Sequence, residues 1–413
     1  MRSIGFLLTF SRNISLERPR RLAGRLLPAP PMGFAEKTVT ALWSVFVVAS
    51  PFYVLPSGQP QPADWLMAAV LLVCFLWSGR RRVRTRRLPR ALWPAAGFAA
   101  YAALVSAFWT WRLAEPGLLL PAAYYAYNVL VLIALVRTFE RLGPAFLRTM
   151  GWAFLVSVLI QVSLSMTRLG ASFRETAGFN NPNQLGYFAL LVASVIALAH
   201  CRFGMRRAAA GVGLAGCLWL SAVSLSKAAL GGVALLAAMV VKARPLVGLI
   251  VCGLVYGAAH LVDLSPVVQN VQQRIVAIGQ DSDDSLEARG YDRIWKYPRY
   301  LLLGAGEGAG YRFGSEIEVH SSLGTVLFSY GIPGTLLFGG FLARIYRFSG
   351  MRHFQYAIPA LLYGMTHQGL RFTEFWILLG LILCAGCQTA TYGAVQQRKV
   401  LIRVAGHEPA GAK

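Results

Sequence analysis

The sequence predicts an all-α, polytopic membrane protein of about 12 transmembrane helices, with one long extracytoplasmic loop carrying short helices. Composition is the first observation: of 413 residues, 56% are hydrophobic and only 14% are charged, where soluble proteins carry about 25% charged residues. Apolar periodicity is the second. Runs of roughly 17–25 apolar residues, enough to cross a hydrocarbon core of about 30 Å, recur between residues 39 and 392. The third is where the charge sits: the net +23 is concentrated in short loops at alternate ends of those runs, as the positive-inside bias produces.

Residues 1–37 read as a cytoplasmic or interfacial segment, because the apolar stretch from Ile4 to Phe10 is too short for a secretory h-region and lacks a small-residue cleavage pattern. The transmembrane domain, 38–392, divides into spans 39–56, 65–78, 91–109, 118–136, 149–165, 183–200, 208–223, 227–241, 246–264, 321–343, 354–370 and 373–392. The second and eighth are short, which extension or tilt accommodates. With the N-terminus inside, the basic loops 79–90, 137–148, 201–207, 242–245 and 344–353 and the tail 393–413 all fall in the cytoplasm. Twelve crossings with both termini cytoplasmic satisfy the bias, and the loop 265–320 is then extracytoplasmic.

Several function classes drop out. Basic residues placed in this way meet anionic lipid heads rather than nucleic acid. The six cysteines (Cys74, Cys201, Cys217, Cys252, Cys384, Cys387) lie in or beside apolar segments; Cys384 and Cys387 form a C-x-x-C without a second pair, so they read as packed thiols rather than a metal or redox centre. No Walker or dinucleotide fingerprint is present. The run 304–308 has the glycines but not the strand and helix around them, and reads as a flexible turn. No clear internal repeat relates the two halves, which weighs against an inverted-repeat transporter.

The long loop holds eight of the 17 acidic residues, and a polar loop docked on a membrane face is where a multi-span protein does its work. His320 precedes Ser321-Ser322 and an apolar run, so it lies near a helix N-terminus, which disfavours imidazolium and keeps the ring able to accept a proton. A capping or interfacial histidine is the competing reading. Lys227 ends the tight turn Ser224-Leu225-Ser226-Lys227 at the outer surface, where Ser224 and Ser226 add donors for a phosphate; a snorkelling lysine is the alternative. Arg289 and Arg293 stand four apart and share a face if the stretch is helical, so they could grip a diphosphate, with Glu287 and Asp292 close enough to neutralise them. The acidic run 281–284 lacks the glycine and ligand pattern of a calcium loop and reads as a solvated turn. Asn181-Pro182 reads as an N-cap with proline at the first helical position, and Asn180 and Asn183 line the outer mouth, where they could bind sugar hydroxyls. Arg371 lies in a polar cluster, 367–371, at another outer end and is expected to pair with Glu374. His200, His353 and His407 fall on the cytoplasmic side and His260 within a span, so none is assigned a catalytic role.

The run Gly178-Phe179-Asn180-Asn181-Pro182-Asn183-Gln184, then Ser224-Leu225-Ser226-Lys227, then Leu303-Gly304-Ala305-Gly306-Glu307-Gly308 in a long outer loop closed by His320-Ser321-Ser322-Leu323, and finally Gly331-Ile332-Pro333-Gly334, together resemble the O-antigen ligase/O-antigen polymerase family of bacterial membrane glycosyltransferases. The resemblance covers residues 175–345. It departs from the family at Ser226-Lys227, where Ser-Arg is usual, and at His320-Ser321, where His-Asn is usual. It implies polymerisation of undecaprenyl-diphosphate-linked oligosaccharide repeats into a surface polysaccharide (O-antigen, capsule or exopolysaccharide) at the outer face of the bacterial inner membrane. The alternatives are ligation of the glycan to lipid A core, giving lipopolysaccharide, and, in another class, transport of a polysaccharide or lipid-linked oligosaccharide. His320 would take the acceptor's hydroxyl proton, and Lys227 with Arg289 or Arg293 would hold the departing diphosphate. Grooves between helices would hold the polyprenyl tail. The implied partners are the lipid-linked donor, the acceptor glycan, membrane lipids, a chain-length regulator and a flippase. No cofactor and no metal is implied, since the lipid diphosphate is already an activated leaving group.

Overall fold

Asn181 and Pro182 begin a helix in the manner expected of them. The Asn181 side chain accepts from the Asn183 amide at 2.8 Å, and the helix runs Pro182–Arg202. The computed structural model describes residues 33–56, 58–77, 87–168, 173–261, 265–276, 285–314 and 318–387. Expectations for residues 1–32, the arginine-rich run 80–86, the acidic turn 281–284, the tail 393–413 with His407, and the His260 side chain lie outside them. In chain order the helices are α1 (Phe34–Ala49), α2 (Pro62–Leu76), α3 (Arg87–Leu113), α4 (Leu120–Leu142), α5 (Pro144–Thr167), α6 (Pro182–Arg202), α7 (Arg207–Val223), α8 (Lys227–Ala243) and α9 (Pro245–Leu261). Then follow α10 (Ser265–Val276), α11 (Asp292–Lys296), α12 (Ser322–Ser349), α13 (Met351–Phe354), α14 (Ile358–Tyr363) and α15 (Thr373–Cys387). The described residues contain no strand.

Five stretches of these residues, Arg90–Leu113, Pro116–Leu142, Pro144–Thr167, Pro182–Arg202 and Ser322–Ser349, are long and apolar enough to cross a membrane. Shorter apolar helices of 10–17 residues accompany them, among them Pro62–Leu76, Arg207–Val223 and Thr373–Cys387. The chain is therefore all-helical with the build of a multi-pass membrane protein. One expected span differs in form. Residues 354–370 do not make a continuous helix: α13 gives way to turns at 355–357 before α14 begins. Pro359 supplies the cause, having no amide to donate to the Gln355 carbonyl and a ring that crowds it.

The hub is α6, 83% of whose most apolar stretch is buried. It packs against α5, α7, α8 and α14. Small residues on its surface let neighbours approach, and close packing is what holds helices together where lipid is as apolar as side chains. At Gly186 a Cβ would meet Ser226 Cβ at 2.7 Å and Ser224 Oγ at 2.8 Å, so the turn before α8 seats directly on α6.

The segment after α10 is folded onto the bundle. Tyr101 of α3 donates to the Leu303 carbonyl at 2.8 Å, and Trp109 donates to the Gly304 carbonyl at 3.2 Å. Residues 303–306 also dock into a kink in α12. Pro333 cannot donate to the Ser329 carbonyl, and Gly331 leaves helical geometry at φ 62°. The freed carbonyls of Phe328 and Ser329 instead accept from Ala305 and Gly306, both at 2.9 Å. A Cβ on Gly304 would lie 2.4 Å from the Ser329 oxygen. The glycine run expected to be a flexible turn is thus a fitted wedge, and two motifs read separately in the sequence interlock.

Candidate functional site

Three chain segments far apart in sequence meet at Tyr363, the last residue of α14. Its hydroxyl donates to the Asn183 carbonyl at 3.1 Å. Its ring stacks between Tyr187 (centroids 4.4 Å apart) and His367 (4.5 Å). Arg174 donates to the Asn183 side-chain oxygen at 2.7 Å and, through Nε, to the Ser224 carbonyl at 3.0 Å. Arg174 therefore ties the mouth of α6 to the turn that precedes α8. That turn is Ser224-Leu225-Ser226, with Leu225 at φ 51°, a conformation that L side chains rarely adopt. Lys227 follows it as the first residue of α8 and is half-buried.

The other side of this seam comes from the start of α12. Ser321 caps the helix by accepting from the Gly324 amide at 3.0 Å. Ser322 donates to the His367 carbonyl at 3.1 Å and accepts from the Gly369 amide at 2.8 Å. His320 stands one residue outside the cap, exposed, with its amide donating to the Arg289 carbonyl at 2.9 Å. The Arg289 guanidinium itself donates to the Thr366 carbonyl, and Tyr291 donates to the Met365 carbonyl. Asn183, Ser226 and Arg289 thus border the turn 363–367, with Ser224 joined to Asn183 through Arg174, Lys227 next to Ser226 in the chain, and His320 joined through Arg289, as pieces of one seam. Asn180 is placed differently, donating to the Leu55 carbonyl at 2.8 Å.

Three expectations are corrected. Arg289 and Arg293 do not share a helical face. Gly290 takes φ 69°, so Arg289 ends a turn while Arg293 belongs to α11, buried with its guanidinium 5.1 Å from the Phe313 ring centre. Ser224 does not offer a free hydroxyl to the mouth: it is buried and donates to the Ser221 carbonyl at 2.9 Å. Arg371 does not pair with Glu374. It makes two bonds to Glu307 Oε2, at 2.5 and 3.1 Å, and one to Glu318 at 3.1 Å. Burial opposes the Arg371 charge, but Glu307 and then Glu318 outweigh it and hold the guanidinium pKa well above its usual value.

Glu307 is the centre of a second polar cluster. Its Oε1 accepts from Tyr125 at 2.5 Å and from Tyr330 at 2.8 Å, so the buried carboxylate has a donor on both oxygens. Beside it opens a cavity of about 380 Å³ lined by Asp64, Gln184, Glu307, Glu318, Gln368 and Arg371 among others. A smaller pocket of about 230 Å³, which includes Arg293, shares Glu307 and Glu318 with it. Among the described residues no three His, Cys, Asp or Glu side chains come together as metal ligands.

Arg174 and Glu307 were missed as site residues. Arg174 had a signal: an arginine in a loop expected to be outer runs against the positive-inside bias. Glu307 stood within the quoted run 303–308, but its partners could not be read there, being 64 residues away at Arg371 and 182 away at Tyr125. No protein-family model and no curated protein matches the chain.

Proposed function

We propose that the chain is a membrane glycosyltransferase that lengthens a surface polysaccharide, O-antigen, capsule or exopolysaccharide, from undecaprenyl-diphosphate-linked repeat units. It would act at the outer face of a bacterial inner membrane, through twelve crossings with both termini cytoplasmic. The observation that carries this reading is that the turn 363–367 bonds to Asn183 and to Arg289, whose carbonyl holds the His320 amide, while Arg174 ties Asn183 to the turn before Lys227; Asn183, Lys227 and His320 come from motifs that the family resemblance singles out separately.

In this mechanism the His320 ring accepts the proton of an acceptor sugar hydroxyl as its oxygen forms a bond to the donor's anomeric carbon. The bond from that carbon to the diphosphate breaks, and the charge left on the diphosphate is met by Lys227 and Arg289, with Arg174 holding the turn that presents Lys227. Arg293 serves the pocket beside Glu307 instead, so the diphosphate role falls to Arg289. An exposed histidine beside a helix N-terminus suits proton acceptance, since the dipole there disfavours the charged ring.

The test is reconstitution of the purified chain with a lipid-linked repeat unit, with and without lipid A core, followed by sizing of the glycan. A ladder without core supports polymerase. A single core-dependent product converts the reading to ligase, and movement of intact lipid-linked saccharide without any new glycosidic bond overturns both in favour of a transporter.

A further inference from the structure

The cavity beside Glu307 adjoins the seam through neighbouring residues: Gln184 and Gln368 line it, while Asn183 and His367 belong to the seam. Its volume, about 380 Å³, lies in the about 300–1,000 Å³ range of small-ligand pockets. The walls combine ring faces from Tyr53, Tyr124 and Phe372 with amide and carboxylate groups. The Gln368 amide nitrogen is buried and has no hydrogen-bond partner among the described residues, although a buried donor left unpaired costs about 1–3 kcal/mol. Such a wall suits a ligand with many hydroxyls and flat C–H faces.

Charge narrows the class. Four carboxylates (Asp64, Glu307, Glu318, Glu374) line the cavity against one guanidinium, Arg371, in a chain whose net charge is +23. Glu307 and Glu318 already share Arg371, and Asp64 accepts from Tyr127 at 3.0 Å and from the Gln61 amide at 2.7 Å. Glu307, Glu318 and Asp64 are held in place by these donors, so against the single guanidinium they form a fixed wall of acceptors rather than a cation cage. A phosphate, a uronic acid or a sialic acid entering here meets like charge at short range, whereas a neutral hydroxyl or an ammonium finds an acceptor.

We propose that this cavity is a saccharide subsite that takes uncharged or amine-bearing sugars and rejects acidic ones. The inference rests on the glycosyltransferase reading and adds to it where the glycan next to the reacting sugar lies and which sugars it can contain.

The test uses the full chain in phospholipid nanodiscs free of glycoside detergent, with calorimetry or saturation-transfer NMR. The probes are chitobiose, its de-N-acetylated diamine and a hexuronic acid disaccharide of equal ring number. The expected result is binding of the first two and at least about tenfold weaker binding of the third, a difference of 1.4 kcal/mol. Glu318→Gln, at an exposed rim position, and Asp64→Asn together should narrow that ratio by about threefold or more, with folding checked by thermal unfolding. Equal or tighter binding of the acidic sugar, an unchanged ratio in the double variant, or no binding of any probe to folded protein would each overturn the subsite. These binding readouts need no lipid-linked donor. Selective sugar binding without chain lengthening would therefore sink the enzymatic reading alone, while lengthening with no such selectivity would sink the subsite alone.

Discussion

The Tyr363 seam and the Glu307 cluster are both polar, both assembled from distant segments, and joined through Gln184 and Gln368, yet they spend their charges differently. Around Glu307 opposite charges meet: two tyrosine hydroxyls and a guanidinium close on one buried carboxylate, and Glu318 shares the Nη2 of Arg371 with it. In the seam, Arg174 donates to a carbonyl and an amide oxygen, and Arg289 donates to a carbonyl. The first arrangement fastens the wedge 303–308 to α4 and α12, and the second ties the start of α6 to the turn before α8 and to the turn 363–367.

Substitutions can break this contrast from either side. The largest effect is expected for Glu307→Ala, which leaves Arg371 with Glu318 alone and two buried tyrosines without their acceptor; losing one partner of a buried pair costs about 3–5 kcal/mol, read as a fall in thermal unfolding temperature and in folded yield. His320→Ala should do the opposite, lowering turnover by about 10²–10⁴-fold while leaving the unfolding temperature unchanged, because the ring is exposed and in the proposed mechanism accepts the acceptor's proton. Gly304→Ala should lie between them in stability. Its positive φ and 2.4 Å approach to the Ser329 oxygen leave no room for a Cβ, at a cost of about 1–3 kcal/mol in denaturant titration. The smallest effect is expected for Lys227→Arg, where charge is kept and bidentate donation gained: donor KM should stay level or fall, and Lys227→Ala should raise it by about tenfold.

Local rules reached some of this from sequence and long-range pairing hid the rest. The cap at Asn181-Pro182, the turn ahead of Lys227 and the position of His320 beside a helix start follow from neighbours within four residues, and the structure has them there. Arg289 and Arg293 were misjudged because a four-residue spacing presumes helix, and Gly290 at φ 69° ends that presumption. Arg371 was matched to Glu374 because the two are three apart, while its partner Glu307 is delivered by a wedge that depends on the proline kink in α12. No periodicity in residues 303–308 signals that destination. It is decided by which carbonyls Pro333 and Gly331 leave open.

The central claim, that the proposed chemistry belongs to the seam while the buried Glu307–Arg371 pair holds the wedge in place, is tested most directly by turnover of His320→Ala in reconstituted membranes, measured on protein whose unfolding temperature equals that of the unaltered chain. A loss of chain lengthening by about 10²-fold or more at unchanged stability is the predicted result. Full activity at unchanged stability would contradict it.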